Sequence, residues 1–137
     1  MPESVIATPS YDDVRQAVQF LVAAFGFERH AQYEDADGEL VHVELTLGGA
    51  MVMPAIAGQG EYGQLMSTVA DAGKPTCGFY VVIQDVAAHH RRAREAGAQI
   101  ITDPRRRDHG GEEYTCRDPG DHVWTFGSYD PWSVTGH

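Results

Sequence analysis

DVRQAVQFLVAAFGFE (13–28) and DVAAHHRRAREAGAQI (85–100) decide the fold, because the second repeats the pattern of the first 72 residues later. Each opens on an aspartate suited to cap a helix and reaches a glycine, Gly26 or Gly97, where the helix should stop. Val14, Ala17, Val18, Leu21, Val22 and Phe25 form one apolar helical stripe in the first copy. The second stripe is poorer: Val86, Ala87, His90, Ala93 and Ala96. The same displacement carries Gly38 onto Gly110, and His42 and Glu44 onto Tyr114 and Cys116. Each copy then reads strand, helix, glycine, strand, glycine turn, strand, strand. A period this long means two copies of one supersecondary unit rather than a solenoid. Half-chains of about 60 residues bury only about 60% of their unfolded surface, so the two should share one core.

The chain is read as a single α+β domain over 1–137, with a first module at 1–54, a linker at 55–75 and a second module at 76–137. Its 137 residues are 42% apolar and 22% charged, as in ordinary soluble domains. A formal charge of −10 argues against nucleic acid. Arg91, Arg92 and Arg94, and Arg105 to Arg107, read as a solvated helix face and a charged turn. No apolar run approaches the roughly 20 residues of a membrane span. The opening MPESVIATPSYDD lacks a basic leader with an apolar run behind it, so the expected location is the cytoplasm. Cys77 and Cys116 match no zinc or redox spacing and read as free thiols.

Alternation sorts strand residues onto two faces. Val41, Val43, Leu45 and Leu47 share one face of VHVELTLGG, and His42, Glu44 and Thr46 the other. Phe79, Val81 and Ile83 oppose Gly78, Tyr80 and Val82. The greasier faces should be covered by helices. The stretch from Pro54 to Pro75 reads as a linker or excursion in which Tyr62, Leu65 and Met66 are the sizeable apolar groups. His89 and His90 read as packed or half-exposed helix residues, and Trp132 in the tail packs on a partner or folds back.

YDDVRQAVQFLVAAFGFE, VHVELTLGGAMVM, GFYVVIQDVAAHHRRAREAGA and RDPGDHVWTFGSYDPW together resemble the vicinal oxygen chelate superfamily of glyoxalases, extradiol dioxygenases and bleomycin-type resistance proteins. The resemblance covers almost everything but the linker. It implies two βαβββ modules whose strands form a cupped mixed sheet with helices outside and a ligand cleft inside. It also implies a homodimer, in which modules are sometimes exchanged between chains. Metal-dependent relatives carry ligands at positions that here hold Ile6, Gly78, Thr125 and Val52, the last with a one-residue uncertainty in alignment. None is a good donor, so no metal and no cofactor are expected.

Taking the less apolar strand faces as the cleft wall gives Ile6, Thr8, His42, Glu44, Thr46, Val52, Gly78, Tyr80, Val82, Tyr114, Cys116, Val123 and Thr125. His42, Glu44, Tyr114 and Cys116 are read as a ligand-binding wall, as an alternative set of metal donors, or as plain surface. Tyr80 and Tyr114 suit stacking on a planar ligand, and Glu44 suits a cationic one. Nothing forms a nucleophile–base–orienter set, so no catalytic residue is assigned. The expected function is metal-free binding and sequestration of an antibiotic or natural product, as in the bleomycin-resistance branch. The alternative is a glyoxalase- or dioxygenase-like enzyme acting on a small carbonyl substrate by lyase or isomerase chemistry. An interaction module with a plugged cup is the third reading.

Overall fold

The structure is a computed structural model that describes residues 3–133. Both capping aspartates act as expected. Asp13 accepts the backbone N–H of Gln16 at 3.0 Å and starts helix α1 (Val14–Phe20). Asp85 accepts that of Ala88 at 3.0 Å and starts α4 (Val86–Glu95). The first helix does not end as a plain α-helix. It widens into a π-helical turn over Leu21–Phe25 and stops at Gly26, whose φ of 87° is left-handed.

The widened turn leaves backbone carbonyls without helical partners. Helix α4 supplies them: Arg92 donates through Nε to the Ala23 carbonyl (2.9 Å) and through Nη2 to that of Val22 (3.1 Å). His89 Nε2 bonds the Phe25 carbonyl at 3.0 Å. A Cβ at position 26 would sit 3.1 Å from Arg92 Nη1, so glycine serves both the turn and the clasp. All three helix arginines are exposed, as the solvated-face reading holds, and Arg92 is in addition a link between the modules.

In the first module, strands β2 (Glu28–Glu34), β3 (Leu40–Leu47) and β4 (Ala50–Val52) form an antiparallel sheet. The short strand β1 (Ser10–Tyr11) pairs in parallel with β5 (Ala55–Ile56), and Ala7 bridges Val52 in the same sense. Pairing thus runs two residues beyond Pro54, into the stretch read as linker. The rest of that stretch holds two short helices, α2 (Gly60–Gln64) and α3 (Val69–Ala72).

The second module has β6 (Phe79–Val82), β7 (Gln99–Arg106), β8 (Glu112–Arg117) and β9 (Val123–Gly127) in the order β6-β9-β8-β7. The 72-residue displacement carries the parallel pair Ala7–Val52 onto Phe79–Trp124. The modules are topological copies, and together they form the expected mixed α+β fold.

One local difference changes which residues face where. In β3, Leu40 pairs with Glu34 and His42 with Tyr33, leaving Val41 as an extra, bulged residue. The second module has no counterpart, because Arg106 pairs with Glu112 and Arg105 with Glu113. Along the rest of β3 the true displacement onto β8 is 71, before the longer β8–β9 turn restores 72, and a one-residue slip moves every side chain to the opposite face. Val43 and Leu45 therefore correspond to Tyr114 and Cys116. All four are buried, while Val41 turns out to solvent.

Tyr114 and Cys116, expected on the cleft wall, belong to the helix-covered core. Val52 is corrected likewise: it pairs with Leu45 and is buried, and the adjacent Met51, paired with Thr46, takes the open position.

The core lies between the helices and the closed faces of both sheets. Phe79 stacks on Trp124 with ring centroids 4.2 Å apart, and Phe25 packs on both Trp124 and Phe126. A buried carboxylate locks the module junction. Asp118 Oδ2 accepts the Tyr11 hydroxyl (2.6 Å) and the Trp124 indole N–H (2.9 Å), and Oδ1 accepts the backbone N–H groups of Gly120 and His122. Of the second helical stripe, Val86, His90 and Ala93 are buried, whereas Ala87 and Ala96 are exposed. Among the described residues no helix is long and apolar enough to cross a membrane.

Candidate functional site

Among the described residues the three-stranded and the four-stranded sheet each keep one face free of helices. In the first module that face carries His42, Glu44 and Thr46 of β3, as their alternation requires. His42 Nε2 lies 2.8 Å from Glu44 Oε2, and His30 Nε2 lies 3.9 Å from Oε1. Tyr33, across from His42 in the pairing with β2, brings its ring to 5.8 Å from the imidazole. The result is a carboxylate flanked by two imidazoles beside a half-exposed phenol. Such a group can bind an organic cation, accept a proton, or fix an imidazole tautomer.

The second module's open face is built from hydroxyls and apolar groups around one carboxylate, Glu113. Tyr80 pairs with Thr125, whose hydroxyl meets that of Thr115 at 2.8 Å, while Thr102 Oγ1 accepts the Thr115 N–H at 3.1 Å. Tyr80 donates its hydroxyl to the Tyr129 carbonyl at 2.7 Å and runs beside Gly127, where a Cβ would come within 2.5 Å of the phenol oxygen. Partial burial raises the Tyr80 pKa, as does the nearby Glu113 charge, against the Tyr129 carbonyl contact that lowers it. Val82 and Ile101 are exposed on this module, and a Cβ at Gly78 would make only ordinary contact with the Val123 carbonyl oxygen, at 3.7 Å.

The structure thus brings His42, Glu44 and Thr46 together on one face and Gly78, Tyr80 and Thr125 on the other. Among the described residues no hydrogen bond joins the two open faces. It moves Tyr114, Cys116 and Val52 into the core. Burial raises the Cys116 thiol pKa to about 12, with Asp118 adding to the shift, and burial also drives the Tyr114 phenol upward. The Tyr114 hydroxyl meets His89 Nδ1 at 2.5 Å. With Nε2 donating to the Phe25 carbonyl, Nδ1 of the neutral ring accepts the Tyr114 hydroxyl. Burial lowers the His89 pKa, the Phe25 carbonyl opposes this, and the Arg92 charge lowers it further.

His30, Tyr33, Met51, Glu113 and Thr115 were not among the expected wall residues. Alternation from a correctly bulged register finds Glu113 and Thr115. Strand β2 offers almost no signal, because six of its seven residues are exposed.

The fold family implies a metal ion in some members, and the residues at those positions do not fit one. Ile6 and Gly78 have no donor, the Thr125 hydroxyl is neutral and engaged by Thr115, and Met51 offers only a thioether. Among the described residues no three His, Cys, Asp or Glu side chains are placed to hold an ion.

Comparison with known proteins agrees with the fold. The sequence profile of the Glyoxalase/Bleomycin resistance protein/Dioxygenase superfamily matches residues 10–126. An uncharacterized protein from Mycobacterium bovis is 30% identical over 121 residues, spanning 85% of this chain and 76% of that protein. TioX from Micromonospora sp. ML1 superimposes with a TM-score of 0.73 at 31% identity, covering 92% of this chain and 98% of TioX. A point mutant of the fosfomycin resistance protein FosX from Listeria monocytogenes, in complex with Mn(II) and 1S,2S-dihydroxypropylphosphonic acid, shares the fold. Its TM-score is 0.67 at 14% identity, over 96% of this chain and 94% of that one. The duplicated βαβββ topology and the sequence match agree: this chain belongs to the Glyoxalase/Bleomycin resistance protein/Dioxygenase superfamily.

Proposed function

We propose that the chain is a metal-free, cytoplasmic binding protein that sequesters an antibiotic or other natural product, acting as a homodimer. The observation that carries this reading is Glu44, held between His42 and His30 beside Tyr33 on a sheet face that no helix covers. A planar ligand bearing an amine suits it, the amine meeting the carboxylate and the ring lying on Tyr33. Tyr80, Thr125 and the exposed Val82 and Ile101 form the matching apolar wall. Dimerisation, with modules exchanged or not, brings a first-module face of one protomer opposite a second-module face of its partner. The ligand is then enclosed from both sides.

A thermal-shift screen of EDTA-treated protein against planar amine antibiotics tests this. A ligand at 100 times its dissociation constant adds about 2.7 kcal/mol and raises Tm by several degrees. A panel without effect, beside a rise on adding Zn, Ni, Mn or Fe, refutes it.

The 2.8 Å contact between His42 and Glu44 favours one second reading, an acid–base enzyme acting on a small carbonyl compound. Turnover of such a substrate by EDTA-treated protein, abolished in Glu44→Gln while binding persists, would establish that reading instead.

A further inference from the structure

A cavity of about 430 Å³ lies away from Glu44 and its neighbours, at the junction where the first-module edge near β1 meets the start of β6, beneath the connector between the modules. We propose that it binds a small apolar carboxylate. The volume falls in the roughly 300–1,000 Å³ range of small-molecule sites. Its wall is mainly apolar, with Pro9, Met66, Val69 and Phe79 prominent.

The charge pattern selects the ligand. None of the sixteen lining residues is acidic, in a chain with 20 Asp and Glu among 137 residues. The lining does hold Lys74, the single lysine of the sequence, which makes no ion pair among the described residues. It also holds His122, whose Nε2 bonds the Ser10 carbonyl at 2.9 Å. That bond fixes the ring with Nε2 as donor, which makes Nδ1 of the neutral ring an acceptor and leaves Lys74 as the cationic group of the lining.

One ammonium over an apolar floor with no carboxylate beside it suits a single negative charge on a hydrocarbon body. A phosphate dianion calls for more: an arginine fork or several converging N–H groups. The lining has no arginine. The connector, which the open-face reading leaves without a role, becomes the cover of this second site.

Calorimetric titration of the full chain with decanoate, below its micellar concentration, tests the assignment, with decanol as the uncharged counterpart. Saturable binding of one decanoate per chain is expected, with decanol at least tenfold weaker. Lys74→Glu should weaken decanoate at least tenfold, and Lys74→Arg should retain it. Ala72→Trp, placed to fill the cavity, should abolish it with the circular dichroism spectrum unchanged.

Glu44→Gln should leave decanoate affinity unaltered, which separates this site from the open face. No saturable binding to the folded wild type overturns the proposal. So does binding that is insensitive to Lys74→Glu, or binding lost instead in Glu44→Gln.

Discussion

The two modules keep the same closed face and have parted company on the open one. Val43, Leu45, Val52 and Ala7 of the first correspond to Tyr114, Cys116, Trp124 and Phe79 of the second, and every one packs in or against the shared core. On the open side His42 and Glu44 correspond to Glu113 and Thr115. An imidazole–carboxylate pair in one copy is an acid and a hydroxyl in the other. Packing restrains the closed face, since a core near crystal density tolerates little change in volume or polarity. The open face is free of that restraint, and there the copies differ in chemistry while sharing a topology.

That contrast is most sharply tested by the cysteines. Cys116 is fully buried with its thiol pKa raised to about 12, whereas Cys77 is exposed. A thiol reagent at pH 8 should titrate one fast group in native protein and two in denaturant, the second at least about 100-fold slower before unfolding. Two fast thiols would return Cys116 to the open face and break the 71-residue register.

Along β9 the alternation itself can be measured. Phe126→Ala should cost about 3–5 kcal/mol in urea unfolding. Thr125→Ala, one residue away on the open side, should cost under about 1 kcal/mol. Equal costs would contradict the assignment of faces.

The clasp between modules adds a smaller effect. His89 is held neutral by burial, with its pKa below the ordinary value of about 6.5. As pH falls through 6.5 the unfolded chain takes up the proton first, so stability should be full above that pH and decline below it. Allowing for partial exposure, the loss attributable to this group is at most about 1 kcal/mol between pH 6.5 and 5.5. His89→Gln should flatten that part of the urea-midpoint profile. An unchanged slope would show that the imidazole is not the titrating group.

Smallest of all should be the stability cost of Glu44→Gln, under about 0.5 kcal/mol, because this carboxylate serves no core contact. A cost of several kcal/mol would make the open-face cluster a structural element.

Much of the fold was legible because the decisive signals are local. The caps Asp13 and Asp85, the stop at Gly26 and the alternation of Phe79, Val81 and Ile83 each act within a few residues. What escaped the reading depends on partners far along the chain. The bulge at Val41 is visible only against the pairing of β2, and a two-faced exposed strand such as β2 carries no periodic mark. The π-turn before Gly26 depends on Arg92 and His89, some 70 residues onward, which donate hydrogen bonds to its freed carbonyls.

The candidate site inherited this division. His42, Glu44, Thr46, Tyr80 and Thr125 stand on strands whose phase is correct on local alternation. Tyr114 and Cys116 rest on the repeat alone and carry the one-residue slip. Short connector helices of five and four residues, set among glycines, gave no stripe to read.

Calorimetry on wild type and Glu44→Gln, with the planar amine that most raises Tm, tests the central claim most directly. Wild-type affinity should be the same in EDTA and in added Zn or Mn, and at least tenfold weaker in Glu44→Gln. Binding that appears only with the metal, or that ignores the loss of the Glu44 charge, would contradict the account.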